Sequence, residues 1–194
     1  INLDFRGAVA DTGTLIKTDQ TQRPFSAADE DALSGDGLPS PEDDGNEALS
    51  RFLIQHRVAS EDVVYTAMDK VRRHARSSGP NVLGLSLIDE VVRLGGADIE
   101  TILCALVERA KFAYIPLEYY EIDRQIVRML PDPITLGHLM IPFDIMSRTL
   151  MIAAANPFDS AGREAVQRML DYNIQWHLAS PGAIYKVLQE NFRA

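Results

Sequence analysis

From Asn46 onward, apolar residues return at the three- and four-residue intervals of an amphipathic helix, and the pattern occurs twice. Leu49, Leu53, Ile54 and Val58 lead to Ser60, after which Val64, Ala67, Met68 and Val71 follow. The same register returns 38 residues on (Ser60 to Asp98): Leu87, Val91, Val92 and Ala97 lead to Asp98, then Ile102, Ala105, Leu106 and, with polarity changed, Arg109. Ser60 and Asp98 are each placed to cap the second helix of a pair, with Glu61, Asp62 and Glu100 near the positive end of its dipole. Ser86 with Asp89 reads as a capping box, and Gly95 and Gly96 supply a stop that the first copy lacks at His56 and Arg57. Two helical hairpins are expected over residues 46–111, separated by the break at Ser77, Ser78, Gly79 and Pro80.

The last third reads differently. A short helix through Ile122, Ile126, Val127 and Leu130 is expected to stop at Pro131 and Pro133. Leu139 to Met146 and Thr149 to Ala154 read as strands joined near Ser147 and Arg148. A helix starting near Asp159 or Ser160 runs through Ala165, Val166, Met169 and Leu170. Ile174, Trp176 and Leu178 alternate with Gln175 and His177 as in a half-buried strand. Ser180 and Pro181 start a closing helix through Ile184, Tyr185, Leu188 and Phe192. The expected fold is α+β: helical hairpin repeats over 46–111 followed by a small β-β-α-β-α sheet-and-helix subdomain over 112–194.

Ahead of the hairpins, Ile1 to Val9 and Thr14 to Thr18 could pair as two short strands within an N-terminal segment 1–25. Residues 26–45 are rich in Ser, Gly, Pro and acid, with Leu33 and Leu38 the only large apolar side chains, so an acidic flexible linker is expected there. A tract of that length spans about 25 Å as a Gaussian chain.

With 194 residues, 46% hydrophobic and 24% charged, the composition is that of a globular protein and excludes a collagen or a fully disordered chain. The formal charge of −9 makes a phosphate backbone or an anionic membrane a poor default partner. It is uneven: residues 1–45 hold ten acidic and three basic side chains, net −7, leaving −2 for the remainder. One cysteine, Cys104, cannot form an intrachain disulfide, and no apolar run approaches the length of a membrane span, which together imply a reducing, cytoplasmic home. The chain opens at Ile1 rather than Met, as expected of a piece of a longer protein.

Candidate chemistry is sparse. His56, His74, His138 and His177 are too isolated from one another and from Cys104 for a zinc motif. No Gly-x-Ser-x-Gly elbow, dinucleotide fingerprint or Gly-Lys dipeptide of a P-loop occurs, so neither a nucleophilic serine nor an ordinary ATPase site is expected. No catalytic, cofactor-binding or metal residue is assigned, and no cofactor. Cys104, between Leu103 and Ala105, reads as a small apolar filler. Lys70, Arg72, Arg73, His74 and Arg76 form a basic cluster that complements a helix C-terminus or, less plainly, an anion or nucleic acid, as in a winged-helix-like binder. Tyr114, Tyr119 and Tyr120 suit either a partner or packing between the two halves. Asn156, Pro157, Phe158 and Asp159 read as a turn whose Asp caps the next helix.

The order of Ala110, Lys111, Phe112 and the run Tyr114 to Leu117, a helix ending at a proline, Ile141 and Pro142, and the closing Ala-Asn-Pro-Phe-Asp at 155–159 resembles the N-terminal domain of the ATPases that power type II secretion and type IV pilus assembly. The resemblance spans about residues 48–194; Asn156 departs from the Asp usual in that turn. It implies a non-catalytic protein-interaction domain of a bacterial motor, tethering the ATPase motor of the same longer chain to the cytoplasmic domain of an inner-membrane platform protein. The domain would then be cytoplasmic and peripheral to the inner membrane through that partner, with no nucleic acid and no direct membrane insertion. Some members bind cyclic di-GMP through paired motifs running from Arg-Leu-Gly through spaced apolar residues to an Ala-Leu ending in Gln. Here Ser86 and Arg109 stand at the Arg and Gln places of the second hairpin, and Ala48 and Val71 at those of the first. The apolar frame survives while the guanidinium and amide are absent, so a cyclic di-GMP sensor is the weaker expectation.

Overall fold

A computed structural model describes residues 45–79 and 81–192. The expected N-terminal strands and the linker up to residue 44 lie outside the described residues. Among the described residues four helices come first: α1 (Asn46–Gln55), α2 (Glu61–Ser77), α3 (Leu87–Arg93) and α4 (Ile99–Glu108). The two hairpins repeat down to their hydrogen bonds. Val58 N–H donates to Leu53 O (2.9 Å) and Arg57 N–H to Ile54 O (3.0 Å); 38 residues on, Gly96 N–H donates to Val91 O (3.0 Å) and Gly95 N–H to Val92 O (2.9 Å). These are paired Schellman stops. The first copy therefore does not lack a stop: Arg57 adopts φ 54°, left-handed like Gly95 at φ 73°, although its Cβ makes that conformation costly.

The capping expectations divide. Asp98 accepts the Thr101 N–H at 2.7 Å, whereas Ser60 sits at the N-cap of α2 without a side-chain bond. Ser86 Oγ accepts the Asp89 N–H at 3.3 Å, but the reciprocal half of the box is replaced: the Ser86 N–H donates to Tyr185 Oη at 2.9 Å. Leu49, Phe52, Leu53, Val64, Met68, Leu87, Val91, Ile102 and Leu106, all buried, form one core across both hairpins.

Past a 3-10 turn at Leu117–Tyr119 the expected helix is shorter, α5 (Arg124–Val127), and a second helix that was not expected follows its stop, α6 (Asp132–Gly137). Pro131 precedes α6 and Pro133 lies in its first turn, where a missing N–H costs nothing, so these prolines begin a helix as well as ending one. The strands are β1 (Met140–Met146), β2 (Thr149–Ala154) and β3 (Asn173–Leu178), in that spatial order. β1 pairs antiparallel with β2, with an irregularity between Pro142 and Asp144, and β2 pairs parallel with β3. A parallel return needs a crossover, supplied by α7 (Ser160–Met169); α8 (Pro181–Phe192) closes the chain. Met140, Ile152 and Trp176 face Val166 of α7, while Ile141, Phe143 and Ala153 face Ala183, Ile184 and Leu188 of α8. The sheet is thus covered on both sides, and the α+β class with β-β-α-β-α order holds.

Candidate functional site

The turn at 156–159 joins the two halves. Its Phe158 leaves the sheet and enters the helical core, where its ring meets Phe112 edge-on at 5.1 Å and Phe52 at 5.8 Å. Asn156 Oδ1 accepts the Phe158 N–H (3.0 Å) and its Nδ2 donates to Asn46 Oδ1 (3.2 Å) at the start of α1. Asp159, 1% exposed, caps α7 through the Gly162 N–H (2.8 Å) and holds His138 Nδ1 at 2.7 Å. A carboxylate only accepts, so His138 carries its proton on Nδ1.

Backbones approach closely here. A Cβ on Gly45, which has φ +81°, would lie 2.4 Å from the Phe158 carbonyl carbon, and one on Gly84 would lie 2.5 Å from Gly137 O. The space left among Asn46, Ser86, His138, Asn156 and Asp159 is about 30 Å³. That is room for about one water, not for a ligand. The turn reading of residues 156–159 stands, with a tertiary role added to it.

Beside this junction, sharing Leu85 and Gly137 with it, runs a groove of about 270 Å³. Val71, His74 and Ala75 of α2, the loop residues Gly79 and Val82, and Pro133 of α6 line it. It falls just under the range of about 300–1,000 Å³ typical of small-molecule sites. His74 Nε2 lies 2.8 Å from Leu83 O, so that nitrogen carries the proton and fixes the loop on α2. The basic cluster is mostly paired: Lys70 with Glu90, Arg73 with Asp69, Arg72 with Glu47. Arg76 has no partner among the described residues.

The four places of the ligand frame carry no group turned to a guest. Ser86, 6% exposed, gives its N–H to Tyr185 and accepts the Asp89 N–H on its Oγ, as described above. Arg109 Nη1 donates to His56 O at 2.8 Å, covering a carbonyl past the end of α1. Val71 is buried and Ala48 half-buried against the core.

The remaining candidates separate. Tyr114 packs on the helical core, pairs with Leu178 as an isolated bridge, and burial pushes its phenol up to about 12. Tyr120 rests edge-on against Phe143 at 5.5 Å, and Tyr119 is 81% exposed, so the three tyrosines are not one patch. His177 stacks edge-on at 5.4 Å on Phe143 across the small Ala153, and burial lowers its pKa. His56 lies 4.4 Å from the Phe52 ring. Burial, with Glu108 and Glu100 nearby, raises the Cys104 thiol above its ordinary value and disfavours the thiolate. Among the described residues no group of His, Cys, Asp and Glu is disposed to hold a metal ion, and no helix is long and apolar enough to cross a membrane.

Sequence reading missed an apolar end of the sheet. Met146 at the end of β1, Met169 at the end of α7 and Tyr172 ahead of β3 are exposed there, with the Arg148–Asp171 ion pair (2.7 Å) and the Asn173 N–H bond to Arg148 O (2.8 Å) tying the two loops together. Met146 and Met169 read in sequence as members of a strand and of a helix's apolar set, and only the parallel pairing of β2 and β3 brings their exposed side chains and Tyr172 to one end of the sheet.

The architecture is that of a sheet flanked by helices with paired helical hairpins docked on its end. Residues 110–194 match the family model of the MshEN domain. This stretch is thereby similar to the MshEN domain, in keeping with the resemblance to the N-terminal domain of type II secretion and type IV pilus ATPases. A structure of MshE with cdg shares the fold at TM-score 0.51 and 20% identity, covering 74% of this chain and 98% of that one. The N-terminal domain of XpsE aligns at TM-score 0.47 and 14% identity over 82% of this chain and 100% of that one. No curated protein matches the chain.

Proposed function

We propose that this chain is a non-catalytic interaction domain that couples a secretion or pilus-assembly ATPase to its inner-membrane platform on the cytoplasmic side. The MshEN match over residues 110–194 is the observation that carries this reading. The exposed Met146, Met169 and Tyr172 supply an apolar surface of the adaptable kind that protein partners use. The test is co-purification of the full chain with the cytoplasmic domain of a platform protein. Capture is expected, and capture that persists after deletion of residues 46–194 would remove the proposal. So would turnover of a nucleoside triphosphate that a point change within 46–194 abolishes.

The fold likeness to a structure of MshE with cdg favours a second reading, a cyclic di-GMP sensor. The side chains weigh against it, because Arg109 and Ser86 are already engaged within the protein and Val71 and Ala48 offer no polar group. Calorimetric titration with cyclic di-GMP decides: no heat and no rise in melting temperature are expected, and saturable binding would install the sensor reading instead.

A further inference from the structure

We infer that the groove along α2 is a docking surface for the acidic tract of the same chain, residues 26–44. Three observations converge on that occupant. The first is continuity. Asn46 borders the small junction cavity, which shares Leu85 and Gly137 with the groove, so the tract joins the described structure beside the surface. The second is charge. The tract carries Asp29, Glu30, Asp31, Asp36, Glu42, Asp43 and Asp44 and no basic residue, while Arg72 and Arg76 stand one turn apart on α2 next to the groove-lining Ala75. Glu47, three residues past Asp44 in the chain, already pairs with Arg72, one turn from Arg76 on α2.

The third is shape and polarity. The groove is lined by Val71, Ala75, Val82, Leu85 and Pro133, and the tract offers one apolar side chain, Leu38, within seven residues of Gly45, flanked by Pro39 and Pro41. Seven residues reach at most about 25 Å, ample for a groove of this volume. Two prolines reduce the ordering entropy of an extended strap. Leu38 occupies the groove, and the acids on either side face Arg72, Arg76 and the end of α2. A tethered ligand acts at about millimolar effective concentration, so a weak site is filled and an outside partner must displace the strap.

The experiment is amide hydrogen exchange over residues 72–86 in the full chain. Compared are the wild type, a variant with the seven acids changed to amides, Leu38→Ser, Arg76→Glu, and Asp19→Asn as a control outside the tract. The first three variants are expected to raise exchange at Val82 and Gly84 by about three- to tenfold, the protection that a millimolar tethered ligand gives a sub-millimolar site. Added salt should reproduce the effect in the wild type and not in the acid-neutralised chain. Wild-type exchange in both the acid-neutralised and Leu38→Ser chains would overturn the inference. Protection that grows with protein concentration would overturn it as well, by assigning the groove to a second copy's tract.

Discussion

The two helical hairpins share a backbone and differ in what they bury. At equivalent positions the first places Phe52, 1% exposed, and the second Glu90, 3% exposed. At the turn the first uses Arg57 where the second uses Gly95. Apolar frame residues Leu49 and Leu87, Leu53 and Val91, Val64 and Ile102 match throughout. A repeat is therefore held by its hydrophobic stripe, and single positions within it can exchange a ring for a charge provided that the charge finds partners. Glu90 does: Lys70 Nζ reaches both its oxygens at 2.9 Å and Arg93 Nη2 lies at 2.6 Å.

The largest expected break of this symmetry is Phe52→Ala. Removing a fully buried ring that also touches Phe158 should cost about 3–5 kcal/mol. Chemical denaturation measures it, with an unchanged m-value showing that the compactness of the end states is kept. Glu90→Ala should cost less, about 1–3 kcal/mol. Lys70 and Arg93 are each about half exposed and can turn to water, so no cation is stranded in the core. A cost for Glu90→Ala above that for Phe52→Ala would mean that the ion cluster, not the apolar stripe, organises the second hairpin.

Glu90 also gives the hairpins different acid responses. Burial alone would raise its pKa, but the bonds from Arg93 and Lys70 outweigh that, and the net shift is downward. A depressed folded-state pKa contributes stability that is present above the unfolded value, about 4.3, and is lost as pH falls through the lower folded value. Denaturation from pH 6 down to pH 3 should therefore show a loss in the wild type that Glu90→Gln reduces. Identical pH profiles would refute the assignment.

The repeat was legible in the sequence because its stripe recurs at one fixed offset, and the sheet subdomain because Ile174, Trp176 and Leu178 alternate so plainly. What was not legible is non-local or conformational. Asn46 and Asn156 meet across a sequence separation of 110 residues, and no local pattern announces that Phe158 leaves its own turn to fill the helical core. Pro131 and Pro133 were legible as breaks, while their service in starting α6 shows only in the bonds that the Ile134 and Thr135 N–H groups donate to Pro131 O at 3.0 and 3.1 Å. That the Ser86 N–H and the Arg109 guanidinium are engaged within the protein also hangs on distant partners, Tyr185 and His56.

The smallest effects lie at the two turns, and they have opposite signs. Gly95→Ala adds a Cβ that meets nothing within 4 Å, so its whole cost is the left-handed backbone, about 1 kcal/mol. Arg57→Gly removes the same strain from the first hairpin, at φ 54°, but enlarges the conformational freedom of the unfolded chain. The two terms leave a net gain of roughly 0.5 kcal/mol. Melting curves of the two single variants and the double variant should be additive, since the turns lie on different hairpins. If Arg57→Gly instead destabilises the protein, the Arg57 side chain makes a contribution that outweighs its backbone strain, and the two Schellman stops are equivalent in hydrogen bonding alone.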